Sequence, residues 1–184
     1  MSKEERPYEM VLRFNEDGVD ACYKNKAFVS CATLIFIYSE AFGAFIRGRR
    51  GESGRQDMKF LIQESFNDFM KNIKQLEVCV EFIDGKEKKW WGFLYNYYRN
   101  GLAHGGMMKV GSGLNQGDPY FSLGEGKVMI ISIDRLYRDY KSSVKNIREK
   151  LKFGNIRSKF DDRLEWILGI KSDVIDEGFR ELEK

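Results

Sequence analysis

The chain has 184 residues, long enough for one domain with a substantial buried core, and a hydrophobic share of 42% is ordinary for a globular protein. Its formal net charge of +3 is too small to signal nucleic-acid binding by itself and leaves room only for a local basic patch. The cysteines, Cys22, Cys31 and Cys79, are odd in number and form no Cys-x-x-Cys pair, and there is one histidine. A disulfide framework and a His/Cys metal centre are therefore not expected, no motif supports a carboxylate magnesium site, and no cofactor is implied.

In chain order, "MSKEERPYEM" is charged and lacks the apolar core of a signal peptide, so a cytoplasmic location with reduced thiols is expected. "YEMVLRF" alternates over too few residues to separate a short strand from a loose arm. One long helix is expected from about Asp17 to Phe45. Within it, "AFVSCATLIFIYSEAFGAFI" (27–46) reaches the ~20 residues of a membrane span. It also carries Ser30, Thr33, Ser39 and Glu40, and a carboxylate in hydrocarbon costs roughly 2.5–3.5 kcal/mol. A helix at the centre of a bundle, with no membrane, is the expectation. "RGRRGESGR" then marks an exposed loop. Its Arg47, Arg49 and Arg50 either contact phosphate as a substrate-binding patch or are solvated at a favourable helix C-terminus.

A second helix is expected over 55–77, with Met58, Leu61, Ile62, Phe66, Phe69, Ile73 and Leu76 on its apolar face. After a linker at "FIDGKEKK", a third helix over 88–104 packs through Trp90, Phe93, Leu94, Tyr97 and Tyr98, and stops at Gly105 and Gly106. Residues 105–118 read as glycine-rich and flexible. "PYFSLGEGKVMIISI" predicts a hairpin turning at Gly124-Glu125-Gly126. Asp134 is expected to cap a fourth helix with Leu136, Tyr140, Val144, Ile147 and Leu151 inward, and Phe160, Leu164, Ile167 and Leu168 face inward from shorter helices beyond it. The fold class is all-α, a helical bundle with a small β-hairpin after the third helix. It reads as a single domain over 1–184, with a core at about 17–152 and a C-terminal helical extension at 153–184.

The stretch "YNYYRNGLAHGG" (95–106) holds the sole histidine. Asn100 and His104, four apart, share a helix face, while Arg99 stands about 140° away in a regular helix and reaches that face from its flank. His104 falls in the last turn, where the helix dipole favours the protonated ring. Gly101 costs roughly 1 kcal/mol relative to alanine inside a helix, which points to close approach by a backbone or ligand. The bland reading is a solvated helix end with an incidental arginine. Glu40 lies among apolar neighbours and is costly to bury unpaired; it either faces solvent or pairs with Arg99 or His104 and orients the site. Tyr95, Tyr97, Tyr98, Trp90 and Trp91 offer stacking surfaces for bases, although their helical spacing places most of them in the core.

"RNGLAH" resembles the signature of HEPN domains, an arginine followed directly by a polar residue and, after four to six intervening residues, a histidine. The wider order is also similar over about 17–152: a long first helix bearing Glu40, the motif near a helix end, a hairpin and a fourth amphipathic helix. The resemblance implies an up-and-down HEPN bundle and a metal-independent endoribonuclease whose homodimer joins two motif helices in a composite cleft. His104 would be the acid/base, Arg99 would stabilise charge on the phosphate, Asn100 would orient the histidine or bind a phosphate oxygen, and Gly101 would let the helices approach. A role as a toxin or a stress or defence effector follows. Some such toxins carry, two residues after the histidine, a tyrosine that a nucleotidyltransferase antitoxin modifies. Gly106 stands there, which argues against that pairing and leaves other protein partners open. The alternatives are a non-catalytic HEPN-like module binding RNA, nucleotide or protein through the same face, and a structural helical domain with an incidental motif.

Overall fold

The computed structural model describes residues 7–83, 89–100 and 112–169. Those residues form a mostly helical protein with a small three-stranded sheet. Helix α1 (Pro7–Lys24) opens on proline, whose fixed φ suits a first helical position, and continues through "YEMVLRF" with no strand. Tyr8, Leu12 and Val19 sit in the core at helical spacing, with Val11 packed against it.

The single helix expected over 17–45 is two. α1 ends at Lys24 and α2 (Phe28–Arg47) runs back across it. Lys26 adopts a left-handed φ of 58°, Ala27 N–H reaches Cys22 O at 2.9 Å, and Lys26 N–H reaches Tyr23 O at 3.0 Å. That is the paired carbonyl capture that usually ends helices on glycine, here carried by lysine. Among the described helices, α2 alone is long and apolar enough to cross a membrane. It packs against α1 and against three later helices, α3 (Arg55–Ser65), α7 (Ile133–Lys150) and α8 (Gly154–Leu168), and most of its apolar length is buried among them.

The expected helix over 55–77 is three segments, α3 (Arg55–Ser65), α4 (Asn67–Lys71) and α5 (Ile73–Ile83). The cause lies far along the chain. Buried Asp139 accepts Asp68 N–H at 3.0 Å and Phe69 N–H at 2.7 Å, capping a new helix start that the local sequence does not announce. Met58, Leu61, Ile62, Phe66, Phe69 and Leu76 keep their expected burial. α3 lies very close to α2 because Gly43 has no side chain: a Cβ there would stand 2.0 Å from Asp57 O.

The third expected helix is a short α6 (Trp90–Leu94) continuing into one π turn (Tyr95–Arg99), with Asn100 still helical. The hairpin forms as β2 (Phe121–Gly124) and β3 (Val128–Ser132), antiparallel with Phe121 opposite Ile131. A further strand, β1 (Ser112–Asn115), pairs parallel to β3 with Ser112 opposite Met129, giving the order β1-β3-β2. It lies in the stretch read as flexible.

α7 (Ile133–Lys150) is capped by Ser132, whose side chain accepts Arg135 N–H, rather than by Asp134. Asp134 sits in the first turn and accepts Tyr23 Oη–H and Gly117 N–H, each at 2.8 Å. Leu136, Tyr140, Val144, Ile147 and Leu151 are all fully buried as the spacing predicts. On α8 (Gly154–Leu168), Phe160 and Leu164 are buried, but Ile167 and Leu168 are exposed. The inward position between the first two belongs to Arg163, which the apolar pattern alone would not place inside.

Candidate functional site

Two elements place the motif. α6 is anchored by Trp90, Phe93 and Leu94, all buried, and the π turn then carries Tyr98 into the core and Arg99 toward α2. Tyr98 Oη–H donates to Met129 O at 2.7 Å and the same oxygen accepts Gly113 N–H at 3.4 Å, fastening the motif helix to β3 and β1. Burial pushes the Tyr98 hydroxyl well above its ordinary pKa, so it acts as a neutral donor and acceptor. Asn100 N–H bonds Tyr95 O, five residues back. Such i→i+5 turns are rare and frequently occur at functional sites.

Glu40, on α2 and 2% exposed, meets this turn. Its Oε2 accepts Arg99 Nε–H at 2.5 Å and its Oε1 accepts Ser53 Oγ–H at 2.9 Å. Arg99 Nη1–H donates to Asn100 Oδ1 at 3.2 Å, and the guanidinium carbon lies 5.3 Å from the centre of the Tyr95 ring. Burial, with the Glu40 charge next, raises the Tyr95 pKa and keeps that hydroxyl protonated. Of the alternatives the sequence leaves open for Glu40, the pairing with Arg99 is thus present. Gly101, His104, Gly105 and Gly106 lie outside the described residues, and with them any pairing of Glu40 to the imidazole.

The arginine loop is tied down at several points. Arg47 Nη1–H and Arg49 Nη1–H donate to the two oxygens of Asp57 at 2.7 and 2.9 Å, and Gly54 N–H donates to Asp57 Oδ2 at 3.0 Å. Asp57 is fully buried, whereas the Arg47 and Arg49 side chains stay 38% and 46% exposed. Arg50 is exposed. From α8, Arg163 Nη1–H donates to the carbonyls of Arg49 and of Gly51, the latter at 3.0 Å, with its guanidinium 5.5 Å from the Phe45 ring centre. Two of the three arginines offered for substrate binding, Arg47 and Arg49, therefore hold the loop together. Ser53, within it, reaches Glu40, so loop and motif share one carboxylate.

Ser53, Asp57 and Arg163 were not singled out from the sequence. Asp57 carried a usable signal: an acid three residues after Gly54 at a helix start matches the spacing of a capping box. Ser53 and Arg163 carried none. Among the described residues no three His, Cys, Asp or Glu side chains gather as a metal-binding group.

No family model, curated protein or solved structure matches this chain.

What the site can do follows from its own groups. A guanidinium held at Nε by a buried carboxylate keeps its charge and a fixed plane. Fixed donors of this kind bind phosphate oxygens and stabilise charge that develops during reaction, because they need no reorganisation at that moment.

Proposed function

We propose that the protein is a metal-independent endoribonuclease of HEPN type, working as a homodimer, with a role as a toxin or a stress or defence effector in the cytoplasm. The observation that carries the reading is the buried Glu40 reaching across from α2 to Arg99, with Asn100 bound beside it, at the start of "RNGLAH". In this reading His104 of one subunit takes the proton of a ribose 2′-hydroxyl as that oxygen attacks the neighbouring phosphorus. The bond to the 5′-oxygen breaks, the partner subunit's His104 supplies the proton to that leaving oxygen, and a 2′,3′-cyclic phosphate and a 5′-hydroxyl result. Arg99 binds the phosphate oxygens as negative charge builds, Asn100 orients the imidazole or a phosphate oxygen, and Gly101 gives the two motif helices room. RNA is the substrate, and a further protein partner that restrains the activity is compatible with the site.

The test is cleavage of a broad RNA panel in EDTA, with DNA of the same sequences as control. Expected are cyclic-phosphate ends, no cut in DNA, and a loss of about 10²–10⁴-fold in His104→Ala. Arg99→Lys, which keeps the charge but loses the planar fork, should be folded and strongly impaired. Light scattering should give a dimer at tens of micromolar. Equal activity of wild type and His104→Ala, or none in either, would move the protein to the non-catalytic binding reading.

A further inference from the structure

Arg99 stands at one end of a row of partly exposed rings and cations. Trp91, Tyr95 and Arg99 follow at four-residue steps along α6 and its π turn, and Arg55 and Lys59 face them from α3 with the same spacing. Lys59 Nζ lies 3.8 Å from the centre of the Trp91 ring, and Lys89 Nζ lies 5.5 Å from it. Arg55 is exposed and near enough for its charge to act on the Tyr95 hydroxyl, as Arg99 does. Trp90 is buried, so of the tryptophan pair Trp91 faces outward.

Among the described residues, the two carboxylates whose charge acts on Tyr95, Glu40 and Asp57, are buried and bonded to Arg99 and to Arg47 and Arg49. Among the described residues neither Lys59 nor Lys89 makes an ion pair; an indole face, not a carboxylate, holds their ammonium groups. An aromatic ring steadies an ammonium group without placing a counter-charge on it.

We infer that this row is a seat for single-stranded RNA, with phosphates on Lys59 and Lys89, bases against Trp91 and Tyr95, and the strand running on to Arg99. The two halves of the row identify the ligand together. An acidic peptide would use the cations and leave the rings idle, whereas a nucleic-acid strand supplies a regular series of anions and π faces. Residues 91 to 99 cover about 12 Å along a helix, which matches about three to four stacked nucleotides. That the bound strand is also the substrate rests on the endoribonuclease reading; that it binds does not.

The experiment measures binding of a fluorescein-labelled, uncleavable 2′-O-methyl octanucleotide to the full chain by anisotropy, as a function of salt. Lys59→Gln/Lys89→Gln should weaken binding and lower the slope of log affinity against log salt by about 1.4, since each lost phosphate contact on a single strand is worth about 0.7. Trp91→Leu should weaken it about 5- to 150-fold, the range for losing one stacked base. Lys24→Gln/Lys145→Gln removes the same net charge elsewhere and should leave both readings near wild type. The inference is overturned if the two double variants behave alike, or if polyglutamate competes as well as an unlabelled oligonucleotide. Weakened binding in a protein that cleaves no RNA would keep the seat and remove the ribonuclease. Unchanged binding in an active enzyme would do the reverse.

Discussion

Replacing Glu40 by glutamine keeps the shape of the side chain and its acceptor for Ser53, but removes the charge that faces Arg99 Nε. The Arg99 side chain is 18% exposed and that of Glu40 3%. Breaking a fully buried pair by removing one partner costs about 3–5 kcal/mol, and a lost hydrogen bond to a charged group about 1.5–3 kcal/mol. Because water reaches part of Arg99, the cost of Glu40→Gln should fall at about 2–3 kcal/mol, or about 4–12 °C in Tm for a chain of this length. The assay is urea unfolding of wild type, Glu40→Gln, Arg99→Met and the double variant. Arg99→Met should be at least as damaging, since it strands a carboxylate that is 2% exposed. The double variant should lose less than the sum of the two, by at least about 1 kcal/mol. Additivity to within about 0.5 kcal/mol would refute the claim that the two residues act as a pair.

Three further outcomes are expected. Gly43→Ala places a Cβ 2.0 Å from Asp57 O, so α2 and α3 must part, and thermal unfolding should show a loss of at least about 3 kcal/mol. Arg163→Met frees the Arg49 and Gly51 carbonyls, and trypsin should then cut the loop at Arg49 or Arg50 at least about tenfold faster; an unchanged rate would show that Arg163 does not hold the loop. Burial pushes the Cys31 thiol from 9.0 up to about 12, so native protein treated with iodoacetamide should label Cys22 well before Cys31. For the same reason, between those values the folded chain keeps a proton that the unfolded chain releases. This contribution to stability therefore falls as pH rises, and urea midpoints on a Cys31→Ala background should fall less steeply there.

The helical faces were legible because burial and periodicity coincide in them. Leu136, Tyr140, Val144, Ile147 and Leu151 are an unbroken stripe on α7, and Met58, Leu61 and Ile62 hold α3 to α2 at the expected spacing. The hairpin was legible from its Gly-Glu-Gly turn. What the pattern could not carry was tertiary or conformational. Asp139 caps α4 from about 70 residues away in sequence, so no reading of 55–77 could place that helix start. Lys26 closes α1 in a conformation that glycine usually advertises, and "SGLN" has one apolar residue by which to mark β1. The π turn is a choice between hydrogen bonds that leaves the apolar periodicity untouched. At the site, Glu40 was visible as a charge in an apolar helix, but the sequence left solvent, Arg99 and His104 all open as its surroundings, because the cost of an unpaired charge names no partner. Ser53 was not visible, because a serine in a glycine-rich loop looks the same whether or not it has a task. His104 and Gly101, the other half of the motif, lie outside the described residues.

Tyr98 and Arg99 are neighbours in sequence, yet one is bonded to the sheet and the other to α2. A helix moored on both flanks at successive residues cannot roll about its own axis without parting one mooring. A roll of the helix that draws Arg99 away from Glu40 therefore also loads the Tyr98 hydroxyl between Gly113 and Met129. Amide exchange along β1 and β3 thus becomes a remote gauge of events at the motif, readable on strands that no ligand need touch.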